Sequence, residues 1–143
     1  KLFLSDIGLM GAMSNIPVQS LLDGNVLFSD FKGALTEQYV LQQLKDNSSL
    51  SIYYWSAENS RGEIDFLLQD EEMIIPVEVK AESNTRATSL KKFKELFSDK
   101  VKLRIRYSLD NLKLDGDVLN IPLFMIDYTD SLIKLALNKL GQS

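Results

Sequence analysis

The 143 residues contain neither cysteine nor histidine. Disulfides, zinc-finger ligation, histidine-ligated metals and Ser-His-Asp or Cys-His nucleophilic machinery are therefore excluded within the chain. A metal held here needs oxygen ligands, which favours Mg²⁺, Mn²⁺ or Ca²⁺. No apolar run approaches the roughly 20 residues that span a bilayer, and no signal peptide is visible, so cytoplasm is the expected compartment and no membrane partner is expected. Basic charge is also scarce: 16 Lys or Arg stand against 20 Asp or Glu, a net charge of −4. That balance does not suit a strongly basic nucleic-acid binder.

The composition that remains, 45% hydrophobic and 25% charged, is ordinary for a soluble globular protein. One domain over residues 1–143 is the simplest organisation, and the length suffices for a real core. The chain starts at Lys1, directly on an apolar segment, and reads as a fragment cut from a longer protein. Charge is unevenly spread. Between Lys80 and Arg106 nine Lys or Arg meet three Asp or Glu, a local +6 that leaves −10 elsewhere. Such a block can steer a phosphate backbone, or it can be a solvated helix face and an exposed strand.

The most informative stretch runs from Gly62 to Lys80. Gly62-Glu63-Ile64-Asp65-Phe66-Leu67-Leu68 and Ile74-Ile75-Pro76-Val77-Glu78-Val79-Lys80 flank a polar turn, which predicts a β-hairpin. Alternation places Glu63, Asp65 and Leu67 on one face and Ile64, Phe66 and Leu68 on the other. Glu78 and Lys80 share a face opposite Val77 and Val79. A four-residue loop, Asp70 to Met73, sets Asp65 opposite Glu78; a two-residue loop, Asp70-Glu71, makes them diagonal neighbours; a three-residue loop separates them. Facing Cβ atoms lie about 5 Å apart, within the span of one shared cation. The alternative is the solvated side of a two-stranded edge. Pro76 cannot donate to a ladder, so it predicts an edge or a bulge there.

In chain order, Ser5 or Asp6 caps a short helix to about Met13, and Asp23-Gly24-Asn25 reads as a turn. Phe28 to Lys45 carries the longest helical pattern, stopped by Asn47-Ser48-Ser49. Ala34, Val40, Leu41 and Leu44 form its apolar arc at about 100° per residue, and Glu37 falls inside that arc. A carboxylate there is costly unless paired or bound to metal. Ser51 to Ser56 is a strand in which Trp55 is expected to be core. Ala57 to Arg61 and Ala81 to Ala87 are loops. Thr88 or Ser89 caps a helix with Leu90, Phe93, Leu96 and Phe97 on one face. Val101 to Ser108 alternates strictly and predicts a strand with one basic face, suited to a sheet edge. Asp115-Gly116-Asp117 is a turn, Val118 to Ile126 a strand, and Thr129 to about Lys139 a helix with Leu132, Ile133, Leu135 and Leu140 inward. Together these predict an α/β protein with a mixed central sheet flanked by helices.

A helical Glu, an Asp in one strand and Glu-x-Lys at the end of the next resemble the PD-(D/E)XK, or restriction-endonuclease-like, nuclease fold. That resemblance implies Glu37, Asp65 and Glu78 as ligands of Mg²⁺ or Mn²⁺, Lys80 as the catalytic lysine that positions or activates water, and Glu63 as an extra carboxylate. More specifically, Lys1 to Leu9, Gly33 to Glu37, Tyr54-Trp55, Gly62 to Phe66, Ile75 to Lys80, Ser89-Leu90, Ser108 to Asn111 and Asn120 to Leu123 resemble a C-terminal domain of unknown function in bacterial and archaeal AAA-type ATPases. The resemblance implies an N-terminal P-loop ATPase module in the same polypeptide as a partner, since Gly-x-x-x-x-Gly-Lys-Ser/Thr is not present here. Two functions follow as expectations. One is Mg²⁺-dependent phosphodiester hydrolysis on DNA or RNA, approached through the basic block from Lys80 to Arg106. The other is a non-catalytic accessory domain that binds nucleic acid or protein for the ATPase.

Overall fold

The computed structural model describes residues 26–56, 63–70, 73–81 and 88–141. Helix α1 (Val26–Asn47) leads into strands β1 (Ser51–Ser56), β2 (Glu63–Asp70) and β3 (Met73–Val79). Helix α2 (Thr88–Leu96), β4 (Arg104–Ser108), β5 (Lys113–Asp115), β6 (Val118–Pro122), a 3₁₀ segment (Leu123–Tyr128) and helix α3 (Thr129–Gly141) follow. The six strands form one mixed sheet in the order β1-β2-β3-β4-β6-β5. The β1-β2-β3 meander and the β5-β6 hairpin are antiparallel, while β3, β4 and β6 run parallel at the centre. This is the expected α/β layer protein with a mixed sheet.

The core divides along the two faces of the sheet. On one face Val40, Leu41 and Leu44 of α1 and Ile133 and Ala136 of α3 pack with Phe66, Leu68, Ile75, Val77, Ile105, Tyr107, Leu119 and Ile121. On the other, Leu90 and Phe93 of α2 join Val101 and Ile64, with Trp55, Leu67 and Ile74 at the margin. Trp55 stands edge-on to Phe93, ring centres 5.0 Å apart, and is a packing residue. The helix α1–α3 junction is tied by Asp130, which accepts bonds from the Ser48 hydroxyl at 2.6 Å and the Ser49 amide at 2.9 Å. Burial opposes ionisation of Asp130, but these donors hold its carboxyl below the usual range.

Several expectations are corrected. Val101 and Leu103 are buried as the alternation requires, but the strand begins only at Arg104. It is not an edge: β4 lies between β3 and β6. The strand expected to reach Ile126 stops at Pro122, whose ring removes the donor that would continue the ladder, and the chain turns into 3₁₀. The three-residue β5 was not foreseen. Leu96 and Leu135 point to solvent, 66% and 64% exposed, rather than inward. Pro76 is neither at an edge nor at a bulge. It pairs regularly with Leu67 and is buried. The Ile74 and Lys80 amides bond to the Lys100 and Tyr107 carbonyls on the β4 side, so by alternation the missing Pro76 donor falls on that side. The parallel ladder starts only at Val77, and the gap before it accommodates the proline. The helix near Ser5, the turn at Asp23 to Asn25, the loop from Ala57 to Arg61 and most of that from Ala81 to Ala87 lie outside the described residues.

Candidate functional site

Glu78 sits between Val77 and Val79, both packed into the α1 side of the core, so alternation turns it to the opposite face. The register then carries a polar row across the sheet. Glu78 pairs with Arg106, Arg106 with Asn120, and Asn120 with Lys113. The β2–β3 ladder, running from Asp70↔Met73 to Phe66↔Val77, has the register that sets Asp65 opposite Glu78 when extended by one pair. Two of the expected carboxylates thus take facing positions on adjacent strands. Glu78 is the penultimate residue of β3, while Arg106 and Asn120 are the central residues of β4 and β6.

Glu78 is buried, 4% exposed. Its Oε1 lies 3.0 Å from the Lys80 ammonium, and its Oε2 is buried with no hydrogen-bond partner among the described residues. Lys80 follows the last residue of β3 and is 30% exposed. A carboxylate removed from water with one oxygen unanswered is energetically costly, and nothing in local strand packing requires it.

Asp65 owes its position to a bulge. Tyr53 pairs with Leu67 but Trp55 with Ile64, so Asp65 and Phe66 together oppose Tyr54. The extra residue reverses the alternation, and Ile64 joins Leu67 beside α2 instead of sharing a face with Phe66 and Leu68. The bulge thus belongs to the β1–β2 pairing and is unrelated to Pro76. Just past the end of the β2–β3 ladder, the Val79 amide donates to Asp65 Oδ2 at 2.8 Å. The side chain takes the place of a ladder carbonyl.

Glu37 lies one turn before Val40 and Leu41 on α1 and is partly buried. Helical spacing directs it with them, towards the sheet face opposite Glu78. The Glu63 side chain lies outside the described residues. Among the described residues no three carboxylates gather closely enough to hold a metal ion.

The basic block is partly answered internally. Arg104 grips Asp117 with two bonds, one from Nε at 2.8 Å and a shorter one from Nη2, and Lys94 of α2 approaches the same carboxylate at 2.6 Å. Partial burial pushes Asp117 upward, but the two cations hold its pKa down at about 2. Gly116, at φ 57°, makes the turn that presents it. Lys91, Lys92, Lys100 and Lys102 remain exposed.

Asn120 and Lys113 of the row carry no role in the sequence reading, and Arg106 enters it only as the end of the basic block. Asn120 accepts from the Ser108 hydroxyl at 2.8 Å and donates to the Asp110 and Asn111 carbonyls at 3.2 and 2.9 Å, pinning the loop after β4. Arg106 lines a cavity of about 270 Å³ with Lys113, Asn111 and Asn120. For Asn120 a signal was present, since Ser108 to Asn111 and Asn120 to Leu123 are among the segments singled out in the sequence.

Fold and site together define an α/β domain with a polar row across its central parallel strands. The chain belongs to the family described as Domain of unknown function (DUF4143), whose model matches residues 32–124, from α1 into the 3₁₀ segment. That span contains Glu37, Asp65, Glu78, Lys80 and Arg106. Comparison with the curated proteins finds no match. Among the described residues no helix is long and apolar enough to cross a membrane.

Proposed function

We propose that this domain is a restriction-endonuclease-like module of a larger AAA-type ATPase polypeptide, and that Asp65, Glu78 and Lys80 serve divalent-cation-dependent phosphodiester hydrolysis on DNA or RNA. One observation carries the reading: a buried Glu78 oxygen without a partner, on a strand facing Asp65 and next to a lysine. The donor set fits a hard cation, since both acidic groups offer oxygen. Glu78 and Asp65 would hold Mg²⁺ or Mn²⁺ without Glu37, the third ligand that the fold resemblance implies, because helical spacing directs Glu37 to the other face of the sheet. Such an ion supplies an acidified water and neutralises charge at a phosphate. Lys80, partly exposed and anchored on Glu78, holds an ammonium where it can donate to a water or a phosphate oxygen. The test is cleavage of end-labelled DNA and RNA with Mg²⁺ or Mn²⁺. Asp65→Asn and Lys80→Gln are expected to abolish cleavage while circular dichroism shows both still folded at the assay temperature.

A second reading is favoured by the bond that already occupies Asp65 Oδ2 and by the lack of a three-carboxylate group among the described residues. In it the domain is a non-catalytic accessory module that binds nucleic acid or protein for its ATPase. The same substitutions would then alter binding or stability with no cleavage to lose.

A further inference from the structure

Arg106 and Glu78 face each other across the parallel β3–β4 pair, an arrangement that normally closes into a charge-assisted pair. Here it does not. Glu78 is committed to Lys80, and among the described residues neither its second oxygen nor the buried Arg106 Nε has a partner. The guanidinium instead lines the adjacent cavity of about 270 Å³. The cavity wall is tied by Asn120, whose Nδ2 donates to the Asp110 and Asn111 carbonyls and whose Oδ1 accepts from the Ser108 hydroxyl. The space is thus built into the fold. Its cationic donors are Arg106 and Lys113, the latter loosely paired at 3.4 Å with exposed Asp115.

We infer that Arg106 is the anchor of a binding site for a phosphodiester group, with Lys113 as its second cation. A guanidinium fork matches two oxygens of a phosphate, and Arg106 lines the cavity with no described acceptor engaging its Nε. Asp110 and Asp115 also line the cavity, and their carboxylates repel a doubly charged terminal phosphate more than a singly charged diester. Lying one strand from Glu78, the site would hold a nucleic-acid backbone beside the proposed hydrolytic centre. It rests on the nucleic-acid part of that reading and not on hydrolysis.

The experiment is performed in EDTA, so that cleavage and cation binding play no part. The Arg106 Nε–H resonance of the folded domain is followed by NMR during addition of dimethyl phosphate, inorganic phosphate or a short single-stranded DNA, and DNA affinity is measured by anisotropy at low salt. The Nε–H signal is expected to shift with dimethyl phosphate and with DNA. Arg106→Gln is expected to weaken DNA binding about tenfold or more, with Arg106→Lys intermediate. An unmoved Nε–H in the wild-type protein, which needs no variant to fold, overturns the assignment. So does equal DNA affinity in folded Arg106→Gln, or a shift with inorganic phosphate alone, which would make the site one for free phosphate.

Discussion

Removing both members of the Glu78–Lys80 pair should leave the domain at least as stable as it is now. The Glu78 side chain is 5% exposed and that of Lys80 30%. Truncating Lys80 alone strands the carboxylate with neither oxygen bonded. A fully buried pair broken in this way costs about 3–5 kcal/mol. Water reaches the Lys80 side and replaces part of the loss, so Lys80→Ala is expected to cost about 2 kcal/mol. In a domain of this size that lowers Tm by about 4–8 °C. The double replacement Glu78→Met with Lys80→Met behaves differently. It also removes Oε2, whose unpaired burial carries a penalty of about 1–3 kcal/mol, and fills the space with apolar atoms. The double variant should therefore match or exceed the wild type by up to about 2 kcal/mol in urea unfolding followed by circular dichroism. A double variant that loses about 2 kcal/mol or more, with an unchanged m-value, would refute the reasoning. The pair would then be a structural device, and its unpaired oxygen would be no argument for a ligand.

Asp117, held at about 2 against an ordinary 3.8, contributes stability that is complete above pH 3.8 and disappears as pH falls through 2. Unfolding at pH 5, 3 and 2 should show the wild type losing about 1–2 kcal/mol more than Asp117→Asn over that range. The Tyr107 hydroxyl meets Thr129 Oγ1 at 2.6 Å in the core, with burial raising its pKa; Tyr107→Phe should cost about 1 kcal/mol by the same assay. Phe66 is fully buried between α1 and the sheet, and Phe66→Ala should cost about 3–5 kcal/mol. Asparagine can still accept the Val79 N–H bond, so Asp65→Asn should cost less than about 1 kcal/mol and serve as a clean probe of function.

The hairpin was legible because Gln69 to Glu72 is polar and both flanks are β-branched and apolar. Its register was not, since three loop lengths fit the sequence; the Asp70↔Met73 pair selects the one that sets Asp65 opposite Glu78. The bulge at Asp65-Phe66 was not legible, since it depends on how β1 pairs, and Ile64 looks the same on either face. The basic strand was placed at an edge because Lys102, Arg104 and Arg106 alternate with apolar residues. In the structure Arg104 is answered by Asp117, 13 residues on, and Arg106 by no described side chain. Long-range pairing of that kind leaves no periodic trace. Leu96 and Leu135 show the converse limit: helical spacing marks the apolar side of α2 and α3, but the sheet covers only part of it.

The central claim is that Glu78 and Asp65 form a cation site. Its most direct test is calorimetric titration of Mn²⁺ and Mg²⁺ into the folded wild-type domain, Asp65→Asn and Glu78→Gln. The account predicts saturable binding to the wild type that both folded variants lose. Heats indistinguishable among the three proteins, or no binding to the wild type with or without a saturating DNA oligonucleotide, would contradict it.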